Sequence, residues 1–198
     1  IMEDFNKVLE AALEESNIPY AAYALTNSET MLASGSVGFT DLEKKIPLSS
    51  DAIFRIASMT KALTSSAFLL LAERENLALD TPVESILEEF KDLKVAKLEN
   101  DEIHYESPNS KITFHQLLTH TSGFGYDFHH QTLSHLLLQG EIADLLDKEG
   151  KFLNAPLIEQ PGTYWHYGIG IGWLGKVIEK LSGQSLNDFM TENVFEPL

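Results

Sequence analysis

Phe54-Arg55-Ile56-Ala57-Ser58-Met59-Thr60-Lys61 opens an apolar run, Ala62 to Leu71, and carries a serine and a lysine three residues apart. On a helix that spacing stacks the two side chains on one face, one turn apart. A helix beginning near Ser58 also sets the hydroxyl beside unpaired backbone N–H groups and the positive end of the helix dipole, where a developing negative charge is favoured. A serine so placed can attack a carbonyl once a base takes its proton. Lys61 can be that base only if its pKa falls from about 10.4 toward neutrality, which burial and nearby positive charge bring about. The plainer alternative is a helix-capping serine followed by a solvated lysine, and these residues alone do not separate the two.

Working outward, Leu63, Ala67, Leu70 and Leu71 repeat at helical spacing and predict a helix from Ser58 to Asn76. Upstream, Phe5, Val8, Leu9, Ala12 and Leu13 share one face of a helix over residues 2–16, ended by Asn17-Ile18-Pro19. Tyr20 to Thr26 and Thr30 to Val37 read as strands around the turn Asn27-Ser28-Glu29, and Gly38 to Asp51 as loop. Downstream, Leu77 to Val83 is a sharp turn, and Pro82 suits the first turn of a short helix reaching Phe90. Lys91 to Lys111 shows no period and reads as surface loop. Thr113 caps a helix through Leu118, two short helices are expected between Gly125 and Gly150, and Pro161-Gly162-Thr163 is a turn. A glycine-rich helix over 170–181 and a Ser185-capped helix over 186–193 complete the reading, which is nearly all helical beyond Ser58.

The 198 residues suffice for a sizeable core in one domain or two small ones. Thirty acidic against 14 basic residues give a net charge of −16, which argues against nucleic-acid binding and against attraction to anionic membrane surfaces. No apolar run approaches the ~20 residues of a membrane span, and no secretory signal pattern is present. Zero cysteines exclude disulfides, thiol catalysis and cysteine-bound zinc. Ile1 ahead of Met2 reads as a residue added before a natural start, so a cytoplasmic protein is the expectation.

Five phrases occur in order along the chain: Phe54 to Lys61; Leu77-Ala78-Leu79-Asp80-Thr81-Pro82-Val83; Ile112-Thr113 with Gln116-Leu117-Leu118-Thr119-His120-Thr121-Ser122-Gly123; Pro161-Gly162-Thr163-Tyr164-Trp165-His166-Tyr167; and Leu174-Gly175-Lys176-Val177-Ile178-Glu179 leading to Ser182-Gly183-Gln184. Together they resemble the class C β-lactamase superfamily, and more closely its esterase branch, the family VIII carboxylesterases, with related acyltransferases. The resemblance implies an α/β fold of the α+β type, β-lactamase/transpeptidase-like: a helical domain plus an antiparallel sheet flanked by helices. Residues 1–57 would give the N-terminal helix and hairpin of the sheet domain, and residues 58–198 the mostly helical domain carrying Ser58, Lys61 and Tyr167. Family members run to nearly twice this length, so the C-terminal strands of the sheet domain, the second oxyanion donor and one pocket wall are expected to be missing.

By the same resemblance Ser58 is the acyl-accepting nucleophile, Lys61 its base, held neutral, and Tyr167 the second catalytic hydroxyl and proton relay. The function implied is cleavage of carboxylic esters through an acyl-Ser58 intermediate, with no cofactor or metal. Alternatives are an acyltransferase, a β-lactamase or peptidase of the same fold, or a non-catalytic binding relative. The partner implied is a small-molecule ester or acyl substrate, without nucleic acid or membrane, with a C-terminal segment or another chain completing the sheet. The β-lactamases read Tyr-x-Asn where this chain has Tyr167-Gly168-Ile169. Isoleucine cannot donate the amide hydrogen bond that asparagine offers, which moves the expected substrate from β-lactams to esters.

Other residues carry two readings each. Tyr167 alone is also compatible with a packed aromatic beside Trp165. His129, His130 and His135, or His115 and His120, lack the spacing and glutamate of His-Glu-x-x-His and read better as solvated or core histidines than as metal ligands. His120 is expected to brace the loop after its helix. Phe124, Tyr126, Trp165 and Trp173 are core or acyl-pocket walls. Glu84, Glu88 and Glu89 read as a solvated face, and the glycines at 168, 170 and 172 lack the context of a phosphate loop.

Overall fold

The computed structural model describes the backbone of residues 2–198 and the side chains of residues 5–198, so Ile1 lies outside the described residues. It divides into two compact units, one through Ile56 and one from Ala57.

In the N-terminal unit a helix, α1 (Met2–Ser16), precedes an antiparallel sheet of β1 (Tyr20–Thr26), β2 (Met31–Asp41) and β3 (Ile46–Pro47) in that order. Tyr23 pairs with Gly35, where the missing side chain leaves room for the tyrosine ring. That ring packs on Phe5 of α1 at 5.6 Å between centroids, and its hydroxyl donates to Asn6 Oδ1 at 3.2 Å. The loop expected from Gly38 to Asp51 is wrong at its start, because β2 continues through Asp41 and pairs with β3. Gly38 explains the difference. With φ at 87° and the Pro19 carbonyl where a side chain would stand, it kinks the strand without ending it. Phe39 N–H then donates to Pro19 O and Leu48 N–H to Gly38 O, both at 3.0 Å. Ala33, Val37 and Leu48 are buried in this unit, whereas Leu25, Met31, Leu32 and Ile46 are exposed.

The C-terminal unit is built on α2 (Thr60–Arg74) packed along a later helix, α5 (Gly170–Ser182). Ala67, Phe68 and Leu71 from α2 and Leu174, Val177 and Ile178 from α5 are buried together. Between these helices the chain forms β4 (Val95–Glu99), β5 (Glu102–Glu106), α3 (Phe114–Leu118) and α4 (Gln131–Leu138), and α6 (Leu186–Met190) follows α5. Phe114 of α3 meets Phe68 at 5.2 Å, and Phe90 meets the edge of Trp173 at 5.1 Å. The capping expected at Thr113 is present. Its hydroxyl accepts from Gln116 N–H while the Gln116 side chain accepts from Thr113 N–H, so two otherwise unpaired donors are satisfied. Ser185 likewise accepts from Asp188 N–H. Among the described residues no helix is long and apolar enough to cross a membrane.

Several local expectations change. Lys91 to Lys111 contains a hairpin, not loop alone. Asn100 and Asp101 both take left-handed backbone, the requirement of a two-residue hairpin turn, and their flanks pair from Val95–Glu106 to Glu99–Glu102. Charged Lys97, Glu99, Glu102 and Glu106 mask the strands in sequence because they face solvent, while Val95 and Ala96 are buried. The helix expected after Pro82 is two 3₁₀ turns, Val83–Ser85 and Glu88–Lys91. Of the two helices expected between Gly125 and Gly150 only α4 forms, preceded by a 3₁₀ turn at Asp127–His129. The last helix is α-helical to Met190 and π-helical over Thr191–Phe195.

One close approach positions everything that follows. A side chain at Gly168 would lie 2.6 Å from the Phe124 carbonyl oxygen and 2.7 Å from Gly125 Cα. Two backbones therefore pass in direct contact, and the residues beside them, Tyr126 and Tyr167, are brought ring to ring at 5.6 Å. Gly168→Ala should lower stability by about 1–3 kcal/mol through overpacking against backbone that cannot yield. The urea midpoint measures this, and a midpoint equal to wild type would contradict the contact.

Candidate active site

Ser58 sits in a 3₁₀ turn, Ala57–Met59, and the α-helix proper begins at Thr60, two residues later than the sequence predicts. Ala57, immediately before it, has φ of +44°, a left-handed conformation that costs a non-glycine residue about 1–3 kcal/mol and clusters at functional positions. Lys61 lies in the first turn of α2, and its Nζ donates to Ser58 Oγ at 3.1 Å. The one-turn spacing read from the sequence thus brings hydroxyl and amine together.

Two aromatic rings flank the amine. Lys61 Nζ is 4.8 Å from the centroid of Tyr167 and 5.3 Å from that of Tyr126, within cation–π range of both. Tyr167 is held from its other sides by His120 at 4.7 Å and by Trp165, stacked at 6.2 Å. His120 does brace its loop against the Tyr167 segment. Its Nδ1 accepts from Gly168 N–H at 3.4 Å, and its carbonyl accepts from His166 N–H at 2.8 Å. Its own backbone is left-handed, with φ of 57°. Tyr126 is buried, and its contact with Lys61 was not assigned from sequence, where it reads as core or pocket wall. Its only signal there is its place just downstream of Ser122-Gly123.

The electrostatics run against a neutral Lys61. Burial pulls its pKa down, but hydrogen bonds and charge from Tyr126 and Tyr167 together outweigh burial and hold it above the ordinary 10.5. Tyr167 moves the other way. The hydrogen bond with the Ser58 hydroxyl lowers its pKa, burial raises it and Lys61 lowers it again, leaving it below 10.0. Burial, followed by the Lys61 charge, lowers His120 below 6.5, so it is neutral at neutral pH. The group of three is therefore an ammonium, a hydroxyl that accepts from it, and a phenol made more acidic by both. The two tyrosines thus favour the Lys61 cation over the free amine, against the pull of burial.

Two cavities meet at Tyr126. One, of about 390 Å³, contains Ser58 and Lys61 and is walled by Leu145, Leu146, Phe152, Ile169, Ile171 and Leu186. Ile169, buried at the start of α5, gives this cavity hydrocarbon where Tyr-x-Asn sequences would place an amide. The other, of about 320 Å³, contains Tyr167 with Trp165 and the imidazoles of His129, His130 and His166. Among the described residues no three histidine, aspartate or glutamate side chains converge as a metal site. Trp173 is core, packed on Phe90 and Phe124, whereas Trp165 is exposed at the second cavity.

A family model described as Beta-lactamase matches residues 5–198. The chain is 33% identical to the acyltransferase calJ of Penicillium decumbens over 159 residues, 77% of this chain and 37% of that protein. It is 32% identical to the esterase EstB of Burkholderia gladioli over 207 residues, 96% of this chain and 48% of that protein. Among solved structures, unliganded simvastatin synthase from Aspergillus terreus superimposes with a TM-score of 0.80 at 29% identity, covering 97% of this chain and 52% of that one. The chain thus spans about half or less of the length of the curated relatives it matches. Its combination of helices and antiparallel strands is that of the β-lactamase/transpeptidase fold. On the match across residues 5–198 and the likeness in structure, the chain belongs to the β-lactamase family.

Proposed function

We propose that Ser58 is the nucleophile of a serine enzyme that cleaves carboxylic esters through an acyl-Ser58 intermediate. The observation that carries this reading is the 3.1 Å contact of Ser58 Oγ with Lys61 Nζ, with the Tyr167 ring against the same amine. In this mechanism the Tyr167 phenolate takes the Ser58 proton as Oγ bonds to the ester carbonyl carbon. The backbone N–H of Ser58 is one donor to the resulting oxyanion, a contribution typically worth about 3 kcal/mol. As the ester C–O bond breaks, Tyr167 returns the proton to the departing alkoxide. Water, activated the same way, releases the acid. Lys61 stays an ammonium and sustains the phenolate, which replaces the sequence-based role of neutral base; Tyr126 holds Lys61 from the other side. The mechanism requires no cofactor.

Relatives named as acyltransferases support a second reading on the same chemistry, in which an alcohol replaces water in deacylation. Product analysis with an added alcohol separates the two.

Ser58→Ala in the full-length protein should lower turnover of a short-chain p-nitrophenyl ester by more than about a thousandfold and abolish labelling by a fluorophosphonate. Retained turnover or labelling would sink the assignment.

The pH profile follows from the two shifts. The active form has Tyr167 deprotonated and Lys61 protonated, so kcat/KM should rise with pH through a Tyr167 pKa below 10.0 and fall once pH exceeds a Lys61 pKa above 10.5. Lys61→Met removes a group that lowers Tyr167 and should move the rising limb to higher pH. A limb that stays in place in that variant would refute the pairing.

Ile169 offers no amide to a β-lactam carbonyl, so nitrocefin should be hydrolysed far more slowly than the p-nitrophenyl ester. Comparable kcat/KM values would contradict the role given to Ile169.

A further inference from the structure

Ester transfer handles two halves of a substrate, and two cavities flank the reacting group. The acyl carbon bonds to Ser58, which lines the hydrocarbon-walled cavity. The oxygen that departs takes its proton from Tyr167, which lines the other. Tyr126 belongs to both walls, so the Ser58 cavity and the Tyr167 cavity adjoin.

The Tyr167 cavity is unlike its neighbour. Its volume of about 320 Å³ is at the lower end of ligand sites and suits a ring-bearing alcohol. Tyr126, Trp165 and Tyr167 line it together with Ile158, and His130 stands edge to face with His166 at 6.0 Å. His130 Nδ1 is shut off from solvent and has no hydrogen-bond partner among the described residues. A proton there would be a buried donor without an acceptor, so the neutral ring carries its hydrogen on Nε2. Burial, then His166, lower the His130 pKa below 6.5 against a smaller opposing effect of Glu159, which keeps the ring neutral at neutral pH. Unlike Nδ1, Nε2 is not among the buried unpartnered atoms, so in a residue that lines the cavity Nε2–H is the donor available to a ligand.

We propose that this cavity is the alcohol site and that His130 selects alcohols bearing a second oxygen, a carbonyl, ether or ester, that accepts from Nε2–H. The proposal rests on the acyl-Ser58 reading and adds the class of alcohol. In acylation the Ser58 Oγ–C bond forms, the ester C–O bond breaks, and the serine proton leaves on the alcohol held in this cavity. In acyl transfer the same alcohol loses its proton to Tyr167 as its oxygen bonds to the acyl carbon, the Ser58 Oγ–C bond breaks, and Tyr167 returns the proton to Ser58 Oγ.

The test compares butanoate esters of p-acetylbenzyl and p-isopropylbenzyl alcohol, similar in shape and differing in the acceptor, using the full-length protein. The ratio of their kcat/KM values, acetyl over isopropyl, should fall about fivefold in His130→Leu, the worth of one neutral hydrogen bond. It should recover in part in His130→Gln, whose amide restores a donor; a packing role would depress both esters alike. An unchanged ratio overturns the proposal. Should the leucine variant not fold, the free alcohols titrated against Ser58→Ala, with His130 intact and Trp165 fluorescence as the signal, give the same answer. About fivefold tighter binding of the acetyl compound is expected, and equal affinity overturns it. Fluorophosphonate labelling of wild-type Ser58 keeps the two ideas distinct. Labelling without alcohol discrimination overturns the alcohol site alone, and absent labelling overturns the acyl-enzyme reading with it.

Discussion

The contact between the backbones of Gly125 and Gly168 is the constraint on which the rest of the candidate site depends. A single added carbon at Gly168 would meet Gly125 Cα at 2.7 Å, so the two segments that carry the tyrosines can touch only because that side chain is absent. With the backbones touching, Tyr126 and Tyr167 close on the ammonium from two sides, and His120 and Trp165 fill the space behind Tyr167. The helical core of α2 and α5 fixes the other partner, because Lys61 and Ser58 are carried at the start of a helix whose far side is buried through Ala67, Phe68 and Leu71. Rigid packing on one side and a glycine contact on the other meet at one amine.

This arrangement inverts the usual demand on a lysine near a nucleophile. A lysine used as a base must be stripped of charge by burial or by neighbouring cations. Here its neighbours are two phenols and a hydroxyl, all of which favour the cation or are themselves made more acidic by it. In the mechanism proposed above, the proton deficit needed for nucleophilic attack is therefore assigned to Tyr167, with Lys61 as the charge that sustains it. Burial, and after it the Lys61 charge, lowers the pKa of His120 within the same field.

Several local features of this arrangement are legible in the sequence. The Ser58–Lys61 spacing maps directly onto a helical turn, Thr113 and Gln116 announce their own capping box, and Pro161-Gly162-Thr163 with Tyr167 is recognisable as a phrase. What was hidden has physical reasons. The β4–β5 hairpin turns on two left-handed residues, Asn100 and Asp101, neither of them glycine, and shows mainly charge along its strands. The extension of β2 depends on Gly38 kinking a strand that sequence rules would end there. Tyr126 reaches Lys61 only through a contact between segments more than forty residues apart, which no local pattern encodes. The direction of the Lys61 shift was likewise unreadable, because it arises from two phenols placed by that contact.

The hairpin also has a practical side. Its base is tied to the core by the Val95–Leu157 bridge and by Ala96 N–H donating to Leu157 O at 2.8 Å, whereas Glu99 to Glu102 are exposed at its tip. Exposed tips with polar residues and few outward bonds are where chains accept added sequence. The Asn100-Asp101 turn is thus a grafting point, where a tag, a reporter or a tethering cysteine could be installed in a chain that has none.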